Sequence, residues 1–212
     1  MKMEEVFRES YQNTCLKQQA GMAAEPEVLS AYHTWQSAAD AASSVTSAKE
    51  TVYYNLCTLL GTATDGSMEL VPLEGTDLSR LEGLDLETGT EEALINNTSL
   101  SSTRKAAAST SADKAKKART VGEMQEEVTL DMQALYSQLV QAKLSYDAAA
   151  AAWENGQIAW NSAQSKNTLG MLSREEYLQE EMLYLQKKAA FESADLSLLQ
   201  ALENYQWAAR GI

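Results

Sequence analysis

The 212-residue chain is 44% hydrophobic and 22% charged, and its only prolines are Pro26 and Pro72, so strong helix breakers are confined to two places. A formal net charge of −13 argues against binding to nucleic-acid phosphates, whose partners present a basic face. No run of about 18 apolar residues marks a membrane span, the first 20 residues lack a signal-peptide core, and two cysteines are too few for a disulfide framework.

Residues 1–61 read as a partial helical hairpin with its turn near 21–26. At about 1.5 Å per residue, Cys15 lies ~10 Å and Cys57 ~50 Å from a turn at Gly21, heights that a disulfide cannot bridge within one hairpin. His33 is the sole histidine and has no cysteine or acid at metal-ligand spacing, so it reads as a surface or packing residue. Residues 62–89 collect Gly66, Gly75, Gly83, Gly89 and Pro72 with Asp65, Glu69, Glu74, Asp77, Glu82, Asp85 and Glu87. Such a stretch predicts an acidic, extended connector, with a short strand at Met68–Leu73 as an option.

The second part, 90–212, is predicted to hold helices over about 90–119, 123–166 and 173–210. Thr90 can cap the first of them, with Glu91 and Glu92 in its first turn. The basic run Arg104, Lys105, Lys114, Lys116, Lys117 and Arg119 falls late in that helix, where cations complement the C-terminal end of the macrodipole. A solvated helix end is preferred there over a binding patch. Thr120, Val121 and Gly122 then mark a turn or a kink.

The clearest periodicity runs through Met132, Leu135, Leu139, Ala142, Tyr146, Ala149, Trp153, Gly156, Trp160 and Ala163. Steps of three and four alternate without a break, which is the seam of a coiled coil in a helix roughly 65 Å long. Beyond a turn at Gly170, with Ser173 as a cap above Glu176, the next helix carries Tyr177, Tyr184, Phe191, Leu198 and Tyr205 beside Leu178, Leu185 and Leu199. Met182, Ala189 and Leu196 widen this face enough to touch more than one neighbour. The two helices read as an αα-hairpin.

The N-terminal part aligns with this hairpin as a degenerate copy. Lys17, Gly21, Met22, Glu27, Val28 and Leu29 lie 149 residues before Lys166, Gly170, Met171, Glu176, Tyr177 and Leu178, and Trp35 meets Tyr184 at the same offset. An internal repeat explains the coincidence.

With these turns in view, the chain resembles the TolC-like outer-membrane efflux protein family. Each of that family's two repeats contains a hairpin with a basic residue four before a tip glycine and an acid-apolar-Leu run opening the return helix. Leu59-Leu60-Gly61 is similar to the step that closes the family's return helix, and Glu91 through Asn97 is similar to the opening of its second repeat. The resemblance implies an all-α fold of long antiparallel coiled-coil hairpins and a place in the cell envelope outside the cytoplasmic membrane. It also implies a periplasmic-type adaptor protein of an export pump as partner and a ring-like homo-oligomer. Docking would fall to the tips, Lys17, Gly21 and Met22 in one copy and Lys166, Gly170 and Met171 in the other.

The family's membrane barrel is not expected, because between Ala118 and Val128 there is no room for two strands of ~9 residues or more. The first repeat also lacks its opening helix, as expected either of a fragment of a longer precursor or of a relative reduced to its helical part. No catalytic, metal or cofactor motif stands out, and the acid pairs Glu126-Glu127, Glu175-Glu176 and Glu180-Glu181 read as solvated helix faces. Trp153, Trp160, Tyr177 and Tyr184 near the second tip fit hairpin core packing, with a partner surface as the other option. A structural or scaffolding coiled-coil protein with no transport role predicts the same helices.

Overall fold

A computed structural model describes residues 2–66, 68–71 and 75–211. The chain divides into two compact units, Met1–Leu73 with Gln157–Leu185 and Glu74–Gly156 with Gln186–Ile212. Most of the described residues are helical, in α1 (Lys2–Gln19), α2 (Glu25–Leu60), α3 (Leu86–Asn96), α4 (Thr98–Lys105), α5 (Ser111–Thr168) and α6 (Arg174–Ala209). No strand occurs among them.

In the first unit α1 folds back on α2, held by an aromatic cluster in which Tyr11 stacks on Trp35 with centroids 5.6 Å apart and meets Tyr32 edge-on at 5.5 Å. The Trp35 indole N–H donates to the Glu4 carboxylate at 3.1 Å, satisfying a polar group that packing would otherwise strand. About the last three turns of α5 and the first turns of α6 complete the unit, with Ala163 and Leu178 buried. His33 lies on the exposed side of α2 against the ring of Tyr32, as a surface residue.

The second unit holds the main core. Ala93, Met132, Leu139, Leu198, Leu202, Tyr205 and Ala209 form one buried cluster drawn from α3, α5 and α6. Tyr136 meets Tyr205 at 5.8 Å and Tyr146 meets Phe191 at 5.5 Å, so α5 and α6 run antiparallel. All ten seam positions from Met132 to Ala163 are buried or half-buried, as a 3–4 spacing requires of one helix face. On α6 the two aromatic and leucine lanes are also covered, whereas Ala189 and Leu196 are exposed and do not widen the packed face.

Four expectations are corrected. The connector is not extended throughout. Asp77 caps a 3-10 turn at Leu78–Leu81, and Leu81, Leu84 and Leu86 pack on the core. The segment is pinned to α6 where the Thr76 N–H and hydroxyl donate to Asp195, and where Arg80 reaches Glu203 at 2.7 Å and Gln206 at 2.6 Å. Met68–Val71 forms no strand, and Pro72 and Leu73 of that predicted strand lie outside the described residues.

The helix expected at Thr90 begins instead at Leu86, because Asp85 is the cap, accepting from the Thr88 N–H at 2.9 Å. The helix expected to reach Arg119 stops at Asn96. There the Asn96 amide donates to the Ala209 carbonyl at the end of α6, and Asn97 caps α4 by accepting from the Leu100 N–H at 2.8 Å. No turn or kink occurs at 120–122: α5 is one 58-residue helix, about 87 Å long. It starts at Ser111 because Thr110 and Asp113 form a reciprocal capping box.

Candidate functional site

The predicted tip residues all fall in the first unit, at two turns of the same construction. At the first, the Gly21 N–H donates to the Gln18 carbonyl at 2.9 Å and the Met22 N–H to the Lys17 carbonyl at 2.8 Å. At the second, the Gly170 N–H donates to Asn167 at 3.0 Å and the Met171 N–H to Lys166 at 2.9 Å. Both are Schellman turns, whose penultimate residue must take the left-handed conformation, and the glycines have φ of 73° and 69°. Lys17 and Lys166 thus occupy the same structural position, four residues before the glycine, with their carbonyls closing the turn.

The return helices also start alike. Glu176 accepts from the Ser173 N–H and hydroxyl, each at 2.8 Å, while the Ser173 hydroxyl accepts from the Glu176 N–H at 3.2 Å. The Ser173 N–H, followed by its hydroxyl, holds the Glu176 carboxyl below its ordinary value. In the first copy Glu27 accepts from the Ala24 N–H at 3.2 Å, and alanine, lacking an oxygen, leaves the other half of the box unmade. The acid of the acid-apolar-Leu run is therefore a cap in both copies.

An aromatic clasp braces each turn. Trp160 stacks on Tyr184 at 5.4 Å and contacts Tyr177 at 5.1 Å. Tyr11 stacks on Trp35 in the same way, and Tyr11 precedes Trp160 by 149 residues, as Trp35 precedes Tyr184. The signal for Tyr11 was present in the sequence, ten residues before Gly21 as Trp160 is ten before Gly170, but a Tyr-for-Trp exchange hid it.

The contacts between the two hairpins left no trace in local residue spacing. Lys17 Nζ pairs with Glu175 at 2.9 Å, and the Arg174 guanidinium grips Glu9 with two hydrogen bonds of 2.8 Å. Neither pairing follows a local spacing, since the partners are more than 150 residues apart. Glu175, expected to be merely solvated, carries an ion pair, and Glu176 makes the cap expected with Ser173. Between α1 and α6 lies a groove lined by Val6, Phe7, Leu178 and Met182.

What the tips leave free is apolar and cationic. Met22, Leu169 and Met171 are exposed, at 78%, 73% and 69%. Lys166 is exposed and its amine has no carboxylate partner among the described residues. Flexible thioethers beside a lysine suit a surface that adapts to a partner. Among the described residues no group of His, Cys, Asp or Glu could hold a metal ion, and no helix is long and apolar enough to cross a membrane. Compared with known protein families, curated proteins and solved structures, the chain matches none.

Proposed function

We propose that the chain is a TolC-like component of an efflux or secretion system, serving as a structural conduit or docking element for the adaptor of an export pump. The observation that carries this reading is the shared construction of the two tips. A turn needs only the glycine and a cap. The recurrence of a lysine before and a methionine after each glycine, with the methionines bare, goes beyond what the turn requires.

Docking would use Met22, Leu169 and Met171 as adaptable apolar contacts and Lys166 as an open charge for an acceptor on the partner's helical hairpin. Lys17 contributes less charge, because its amine already faces Glu175. The working form is a ring-like oligomer in the cell envelope, with no cofactor and no catalytic step.

Pull-down of a periplasmic-type adaptor by the chain and its variants tests the proposal. Lys166→Ala is expected to weaken binding about tenfold, or ~1.4 kcal/mol, and Lys17→Ala by less, with both variants melting as the parent does. Full-strength binding by both variants would leave the tips a structural role alone, and no binding by the parent would favour a scaffolding coiled coil without a transport role.

A further inference from the structure

The basic run lies where a helix least favours it. Arg104 and Lys105 close α4, but Lys114, Lys116, Lys117 and Arg119 fall within the first nine residues of α5, toward the positive end of its macrodipole. The expectation of a helix C-terminus is thus corrected for four of the six cations. The lone acid among them, Asp113, is consumed by the cap with Thr110.

Together these residues give the α4–α5 turn a net charge of +5, so the rest of the chain, which totals −13 with the turn, carries −18. Arg104 and Lys117 are spent on the carbonyls of Leu94 and Ala106. Among the described residues Lys105, Lys114, Lys116 and Arg119 make no ion pair. All four are exposed.

The same unit holds the opposite feature. Glu82, Asp85, Glu87, Glu91 and Glu92, around the start of α3, amount to −5 without an intervening Lys or Arg, and all five are exposed. Asp85 is engaged as the helix cap, and the other four have no cationic partner among the described residues. Charge is therefore separated along one unit, with matching magnitude and no internal neutralisation.

We propose that the basic α4–α5 turn docks on the acidic α3 entrance of a second copy of this chain. Set head to tail, the contact joins one copy's turn to the next copy's α3 entrance and can close into the ring-like oligomer proposed above. An acidic protein surface complementary in charge is on the molecule itself, whereas an anionic bilayer would repel the −18 carried by the remainder. The contact uses neither Lys17 nor Lys166 and stands whether or not the hairpin tips bind an adaptor.

Sedimentation velocity on the whole chain, across concentration and salt, reads this out. Self-association is expected at 50 mM salt and should weaken at least about tenfold at 500 mM, where the Debye length shrinks well below its low-salt value. The triple variant Lys114→Glu, Lys116→Glu, Arg119→Glu should be monomeric. So should Glu87→Lys, Glu91→Lys, Glu92→Lys. Mixing the two should restore association, an outcome that misfolding cannot produce. A monomeric parent at low salt and high concentration, or association that the triple variants leave intact, would overturn the proposal. Binding to vesicles containing phosphatidylserine that the Lys114→Glu, Lys116→Glu, Arg119→Glu variant loses, without self-association of the parent, would overturn it in favour of a lipid-binding turn.

Discussion

Replacing Gly89 by alanine separates local helix preference from packing, because the two forecast opposite signs. Gly89 lies inside α3, where alanine is favoured over glycine by about 1 kcal/mol. A Cβ built there, however, would meet the Tyr205 ring at 2.7 Å from Cζ, and closer still at the hydroxyl. Tyr205 is 1% exposed, and its hydroxyl donates to the Asp85 carbonyl at 2.6 Å, so the ring cannot swing away freely. Displacing it forfeits a hydrogen bond of about 1 kcal/mol and adds about 1–3 kcal/mol of overpacking. After the gain in propensity, a net loss of about 1–3 kcal/mol is expected. Urea and thermal melts followed by circular dichroism measure it, and Tyr205→Phe in the Gly89→Ala background should recover part of the loss. A Gly89→Ala variant at least as stable as the parent would refute the reasoning, since packing would then not govern this position.

Gly170→Val should destabilise the second hairpin by about 1–2 kcal/mol through its positive φ alone, since the space around it is open, and Gly170→Asn should cost less in the same melts. Acid should weaken the fold through its caps. Glu176 is held low first by the Ser173 N–H, Asp85 by the Thr88 N–H and Asp113 by the Thr110 hydroxyl. Because these folded-state values are depressed, their stabilisation is complete above the ordinary carboxylate range and is lost as pH falls through the lowered values. Glu176→Gln should flatten part of that acid limb in melts taken from pH 7 downward, and an unchanged slope would remove Glu176 from the explanation.

The parts of the fold that were legible were those written in local chemistry. The 3–4 spacing from Met132 to Ala163 announces one buried face whatever it packs against, and Gly170 with Ser173 and Glu176 spells out a turn and a cap within ten residues. What the sequence hid was set by distant groups. Asn96 and Asn97 end one helix and begin another because α6 needs its last carbonyls capped, a demand arising 113 residues away. Gly89 looked like a linker glycine but is a helical residue that makes room for Tyr205. Gly122 looked like a break, yet Val121, Met124 and Val128 continue a half-covered face that keeps the helix intact. The tip lysines were readable as a repeated pair. Their difference was not, since Glu175 meets Lys17 only through tertiary packing.

Site-specific photocrosslinking tests tip docking most directly. A photoreactive residue is placed at Met22, at Met171 and, as a control, at the exposed mid-helix position Val140, and each chain is illuminated with a periplasmic-type adaptor of an export pump. Docking by the tips predicts crosslinks from Met22 and Met171 to the adaptor's helical hairpin and none from Val140. Crosslinks from Val140 alone, or from all three positions equally, would contradict it.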